Sequence, residues 1–134
     1  MDDIFVARLM SDDVRTVAPD TLVEDAAHLM LEHDIGSVVV VDDDNALQGI
    51  LTSTDFVEIV REQKPKDQTP VSAYMSTGVV TTTAQEPIQA AADRMLREGF
   101  HHLPVVDETE GVIGMLSTTD LTAYVSRVQS PSPA

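Results

Sequence analysis

Displaced by 65 residues, the chain matches itself at 15 of the 48 ungapped positions from Met10 to Val57. Ordinary residue frequencies would give about 3 to 4 matches. They fall in blocks: Met10-Ser11 over Met75-Ser76, Ala26-Ala27 over Ala91-Ala92, Met30-Leu31 over Met95-Leu96, Val40-Val41-Asp42 over Val105-Val106-Asp107, and Thr54-Asp55 over Thr119-Asp120. Val14, Thr16, Gly49 and Leu51 find Val79, Thr81, Gly114 and Leu116. The chain is a duplication, and neither copy is long enough to bury a good core alone.

Both copies follow one pattern. A short Val- and Thr-rich stretch, 14–17 and 79–83, reads as a strand. Val23, Ala26, Ala27 and Met30, and Ile88, Ala91, Ala92 and Met95, then fall at helical spacing. Thr21-Leu22-Val23-Glu24 has the form of a capping box, Pro87 suits a first helical turn, and Asp34 and Gly99 are natural stops. Strands follow at 37–41 and 103–106, apolar enough for burial on both faces. Turns at 42–45 and 107–111, second strands at 47–51 and 112–116, likewise apolar enough for burial on both faces, and closing helices from Ser53 and Thr118 complete each copy. The fold class is α/β of the α+β kind: two tandem β-α-β-β-α motifs packed as one pseudo-two-fold module. The expected divisions are a first motif at 8–62, a linker at 63–72, a second motif at 73–128 and a disordered tail at 129–134.

Charge and composition narrow the function. The chain has 23 acidic residues against 8 Lys and Arg, a net charge of −15. Nucleic-acid backbones and anionic membranes need a basic surface, so neither is an expected partner. An Asp-rich, Lys-poor surface has the character of proteins from salt-loving archaea, where salt screens self-repulsion. There is no cysteine, which excludes disulfides, thiolate metal sites and cysteine nucleophiles. The N-terminal residues lack a basic, apolar leader, and no apolar run is long enough to span a bilayer. The expected location is the cytoplasm.

The most informative segments are Gly49-Ile50-Leu51-Thr52-Ser53-Thr54-Asp55 and Gly114-Met115-Leu116-Ser117-Thr118-Thr119-Asp120. Both stand where a strand feeds a helix. A helix start presents unpaired N–H groups and partial positive charge, which suits an anion, and an Asp in the first turn can accept hydrogen bonds from vicinal ribose hydroxyls. The same residues also satisfy a plain capping box. Capping alone requires neither Gly three residues before the hydroxyl nor the motif in both copies.

With His102-Leu103-Pro104-Val105-Val106-Asp107 and Ser37-Val38-Val39-Val40-Val41-Asp42 preceding them, these segments resemble the CBS (cystathionine-β-synthase-type) domain pair over about residues 8 to 128. The resemblance implies a non-enzymatic regulatory module, binding an adenosine-containing ligand in clefts between the two motifs and signalling to a regulated protein the sequence does not name. Asp55 and Asp120 would hold ribose hydroxyls, with Thr52, Thr54, Ser117 and Thr119 near phosphate or ribose. Gly36, Ser37 and Val38, and His101, His102, Leu103 and Pro104, would line the base or phosphate region. The approaches 11–16 and 76–81, ending in Thr16 and Thr81, would contact adenine. A homodimer and no required cofactor are implied too. Phosphate-binding members usually supply Arg, Lys or His near the phosphates. Here His101 and His102, with Arg15, are the candidates, and the first copy has Gly36-Ser37 in place of the histidine pair. AMP, S-adenosylmethionine or methylthioadenosine is therefore favoured over ATP, with NAD also open, and the Asp120 cleft suits a phosphate better.

The rival readings carry less. His28 and His33 lack the spacing of a helical metal pair, and adjacent strand residues such as His101 and His102 point to opposite faces. Asp42-Asp43-Asp44 lacks calcium-loop spacing and reads as a solvated turn. No nucleophile or phosphate-loop motif is present. The same fold acting as a ligand-free interaction scaffold stays open.

Overall fold

The structure is a computed structural model and describes residues 4–129. Of the expected tail, Gln129 ends the last helix, and 130–134 lie outside the described residues. In chain order the elements are α1 (Val6–Leu9), β1 (Thr16–Val17), α2 (Val23–His33), β2 (Ser37–Val41), β3 (Leu47–Thr52), α3 (Ser53–Arg61), a 3-10 turn (Val71–Ala73), α4 (Ile88–Glu98), β4 (His102–Asp107), β5 (Gly111–Ser117) and α5 (Thr118–Gln129). The tandem β-α-β-β-α pattern is borne out, with one reduction. In the second copy the opening strand shrinks to a single parallel bridge between Thr82 and Val105.

The chain forms two compact units that do not follow it in consecutive halves. Of the described residues, one contains 13–79 and 108–112, the other 4–12, 80–107 and 113–129. In the 13–79 unit, β1 pairs parallel to β2 and β2 antiparallel to β3, with a register shift at Val40/Val41. Its core joins Val23, Ala26 and Met30 of α2 to Val38 and Val40 of β2, Leu51, Ile59 and Val71. Val71 belongs by sequence to the approach to the second copy. The other unit has the two-stranded β4–β5 sheet. Its core joins Ile88, Ala91 and Met95 of α4 to Leu103, Val105, Leu116, Ala84, Ile4 and Val6. Here Ile4 and Val6 come from the segment ahead of the first copy. Each copy thus lends its leading segment to the unit built on the other, and each core is completed by residues its own copy does not supply.

The lent segments enter by matching hydrogen bonds. Ser76 exchanges backbone bonds of 2.9 and 3.0 Å with Ile50 of β3, and Ser11 exchanges bonds of 2.8 and 2.9 Å with Met115 of β5. This close approach explains the repeated glycine. A Cβ on Gly49 would lie 2.7 Å from both Met75 Sδ and the Ser76 carbonyl oxygen, and one on Gly114 would lie 2.7 Å from Met10 Sδ. The glycine therefore answers to packing of the Met-Ser segment.

Helix ends follow local chemistry, with two corrections. Asp34 and Gly99 close α2 and α4 in the left-handed conformation, with φ of 52° and 74°. The residue at the cap of α2 is Leu22 rather than Thr21. The Thr21 hydroxyl instead accepts the Ala18 N–H at 3.1 Å, closing the preceding turn, so the expected capping box does not form. Pro87 stands one residue ahead of α4, at the cap. The near-continuous burial expected of the strands holds for β2 and for Leu103 to Val105 of β4. By contrast β5 alternates, burying Val112, Gly114 and Leu116.

Candidate functional site at two strand-to-helix junctions

In each copy a strand runs directly into a helix, and the last strand residue is the helix cap. At the first junction Thr52, extended at φ −120°, caps α3 and forms a capping box with Asp55. The Thr52 N–H donates to Asp55 Oδ2 at 2.8 Å and the Thr52 hydroxyl donates to the same oxygen at 3.3 Å. At the second junction the Ser117 N–H donates to Asp120 Oδ2 at 2.8 Å and the Ser117 hydroxyl at 2.9 Å, while the Asp120 N–H donates back to Ser117 Oγ at 3.2 Å. Such a cap contributes about 1 kcal/mol to its helix. The capping reading is therefore correct for both aspartates. It does not exhaust them: every bond that either carboxylate accepts ends on Oδ2, each carboxylate is only partly buried, and Oδ1 takes no hydrogen bond among the described residues.

The flanking residues converge on the same places. Ser37 pairs with Thr52 across β2 and β3, and the Gly36 carbonyl accepts the Ser53 N–H at 3.2 Å. In the other unit the His101 carbonyl accepts the Thr118 N–H at 3.0 Å. So Gly36 and Ser37, and His101, are brought to the first turns of α3 and α5. His101 is exposed and His102 half-buried. Burial holds the His102 imidazole below the usual histidine range; the neighbouring His101 adds to this and the Asp120 carboxylate opposes it. Thr54 and Thr119 stand exposed on the helix first turns.

Other candidate residues are placed differently. Val38, Leu103 and Pro104 are fully buried, so only their backbone is available to a ligand. Thr16 pairs with Val39 of β2, two positions along from Ser37. Thr81 presents its carbonyl to Arg94, which donates to it at 3.0 Å. Arg15 is engaged with Asp13 at 3.1 Å. Two features escaped sequence reasoning. Arg94 and Glu86 form an ion pair in the second copy, where the first copy has Leu29 and Thr21. Asn45 donates to the carbonyls of Glu110 at 2.9 Å and Val112 at 2.8 Å, holding the β4–β5 turn. The only available signal for either was a departure from the repeat.

Among the described residues no group of three or more His, Asp or Glu side chains is arranged to hold a metal ion. His28 and His33 both lie against Glu32, at 3.5 and 3.3 Å. Asp42 closes its own turn, Oδ1 accepting the N–H groups of Asp44 and Ala46 at 2.9 Å. No helix among the described residues is long and apolar enough to cross a membrane.

Comparison with known proteins bears on the family and the fold. An uncharacterized 17.7 kDa protein of Acidianus ambivalens is 35% identical over 116 residues, 87% of this chain and 70% of that protein. The homoserine O-acetyltransferase of Methanosalsum zhilinae is 31% identical over 125 residues, 93% of this chain, but the chain spans only 25% of that enzyme's length. Among solved structures, the CBS domain pair of protein MJ0100, in complex with 5′-methylthioadenosine and S-adenosyl-L-methionine, matches with a TM-score of 0.88 at 23% identity, covering 96% of this chain and 100% of its own. CBSX2 in complex with AMP matches with a TM-score of 0.83 at 23% identity, covering 93% and 98%. The CBS domain family model matches residues 6–62 and again 71–127, one match per copy of the duplication, and the chain belongs to the CBS domain family as a tandem pair.

Proposed function

We propose that this chain is a regulatory sensor whose two strand-to-helix junctions each hold the ribose of an adenosine-containing ligand, signalling occupancy to a partner protein rather than catalysing a reaction. The observation that carries the reading is the division of labour within each aspartate: Oδ2 is committed to the helix cap, and Oδ1 is left to accept a ribose hydroxyl. Asp55 with Thr52 and Thr54 serves one junction, and Asp120 with Ser117 and Thr119 the other. Gly36, Ser37 and the Val38 backbone, or His101, His102 and the backbone of Leu103 and Pro104, complete the walls. Thr16 and Thr81 lie on the base side. The ligands in MJ0100 and CBSX2, an adenosyl thioether, S-adenosylmethionine and AMP, support the class of compound.

Charge selects within that class. Arg15 and Arg94 are already paired with acids, and the net charge of −15 disfavours a triphosphate. AMP suits the histidine-flanked Asp120 junction, and an uncharged or cationic adenosyl compound suits the Asp55 junction. Titration calorimetry in molar KCl with AMP and with 5′-methylthioadenosine tests this. A hydrogen bond to a carboxylate contributes about 1.5–3 kcal/mol, so Asp120→Ala is expected to weaken AMP binding roughly 10- to 100-fold. Unchanged AMP affinity in a folded Asp120→Ala protein would remove this residue from the site.

A ligand-free scaffold is favoured by a different observation. Leu31, Val57, Val60 and Leu96 are between 70% and 84% exposed, more bare apolar surface on helices than solvent alone rewards. We assign these faces to a homodimer, which sedimentation equilibrium reads directly. A dimer that binds none of the adenosyl compounds would leave the scaffold reading standing.

A further inference from the structure

The ion pair between Glu86 and Arg94 exists in one copy only. Arg94 Nη1 donates to Glu86 Oε1 at 2.7 Å and Nη2 donates to Glu86 Oε2, a fork-to-fork arrangement. Nη1 also donates to the Thr81 carbonyl at 3.0 Å. The Thr82 hydroxyl, on a side chain almost wholly buried, donates to Glu86 as well. Hydrogen bonds from Arg94 hold the Glu86 carboxyl below its usual range, so the pair is charged at neutral pH. Together with Thr81, Thr82, Thr83 and Gln85 it lines a cleft of about 390 Å³.

The fold itself does not need this pair. At the equivalent positions of the first copy, Thr21 and Leu29 support the same α2 packing without charge. A half-buried ion pair is also weak grounds for stability, because desolvation offsets much of the attraction. What the arginine supplies and leucine cannot is a directed donor on the Thr81 carbonyl. That donor acts on a segment with fewer strand pairs than its first-copy counterpart. The first copy fixes Thr16 and Val17 by two pairs in β1, whereas the second has only Thr82, bonded to Pro104 O at 3.0 Å and Val106 N at 2.9 Å.

We propose that Arg94 is a positioning residue. By clamping Glu86 and the Thr81 carbonyl at once, it fixes the 81–83 segment, and through Thr82 the Pro104–Val106 stretch of β4, in the conformation the Asp120 junction needs to bind AMP. This rests on the ligand reading proposed above. Segment order lost by the variant appears as lost affinity, since apparent affinity falls in proportion to the competent fraction; a fall to about one tenth gives about tenfold weaker binding.

The test grafts the first copy's residues onto the second, Glu86→Thr with Arg94→Leu, which removes both charges and leaves neither orphaned. Melting temperature close to wild type, AMP binding about tenfold weaker and faster amide exchange at Thr82 and Val106 are the expected results. An unchanged AMP affinity in the folded double variant overturns the proposal. Should the graft fail to fold, Arg94→Lys keeps the charge but not the fork, and is expected to lose affinity while retaining its melting temperature; full affinity there overturns the proposal equally. Wild-type protein that binds neither AMP nor 5′-methylthioadenosine refutes the ligand reading itself, whereas binding indifferent to both variants refutes only the role of Arg94.

Discussion

The two strand-to-helix junctions share a cap and differ in the residues brought beside it. Thr52 with Asp55 and Ser117 with Asp120 make the same bonds at 2.8 Å, because both helices begin with unpaired N–H groups that must be satisfied. Beside one stands Gly36-Ser37, uncharged and partly packed against β3; beside the other stands His101-His102. Duplication has kept the capping residues and varied the residues that flank them. The supports differ likewise: a two-residue strand on one side, a single bridge reinforced by Arg94 and Glu86 on the other.

This contrast makes a sharp expectation: the units should fail alike when cut in the core and unlike when cut at the flank. The largest effects come from the cores. Leu51 and Leu116 are repeat partners and both are fully buried, so Leu51→Ala and Leu116→Ala should each destabilise by about 2–5 kcal/mol in chemical denaturation. A tolerant response from only one of them would show that the shared pattern hides unequal cores. Gly49→Ala and Gly114→Ala come next, at about 1–3 kcal/mol for forcing a methyl into a filled space. Gly49 should be the costlier, since its methyl meets the Ser76 carbonyl at 2.7 Å, against 3.0 Å to the Ser11 carbonyl at Gly114, and backbone cannot swing aside as a methionine can.

Replacing the histidine pair by the first copy's residues, His101→Gly with His102→Ser, probes the flank. AMP binding should weaken roughly tenfold through loss of a charge-assisted contact, with 5′-methylthioadenosine unaffected because it carries no phosphate. Equal losses for both ligands would place the histidines against the nucleoside instead. The smallest effect is on stability against pH. His102 in the folded protein binds its proton below the ordinary histidine pKa, so the unfolded state takes up the proton first as pH falls. Stability is then fullest above the ordinary histidine range and declines as pH drops through it. The slope is a fraction of the roughly 1.4 kcal/mol per pH unit of one whole proton, because the ring is only half buried and solvent screens it. His102→Ser should flatten that slope in melts between pH 5 and pH 8 (about the range histidine titrates).

Much of the architecture was legible in the residues. Repeated apolar positions at 23, 26 and 30, and at 88, 91 and 95, marked α2 and α4 because helical periodicity reports burial directly. Ser37–Val41 and the starts of α3 and α5 at Ser53 and Thr118 fell where composition placed them. Thr21 misled, because a threonine three residues before a glutamate has the form of a cap whether or not the chain turns there. At the candidate site, the aspartates and their hydroxyl partners were visible as a motif, but the commitment of Oδ2 alone to the cap was not: a pattern cannot say which oxygen of a carboxylate is occupied.

By itself the sequence determined that two like units would form, where most of their helices and strands would run, and that the surface would be acidic, since these depend on local periodicity, on caps and on counting charges. Only the tertiary structure decided that each leading segment completes the other copy's core, through Ile4 and Val6 on one side and Val71 on the other, and that the repeated glycine yields room to a methionine. Those outcomes rest on backbone hydrogen bonds and contacts between residues far apart in the chain. Backbone groups are the same in every residue, so no pattern of side chains announces whom they will meet.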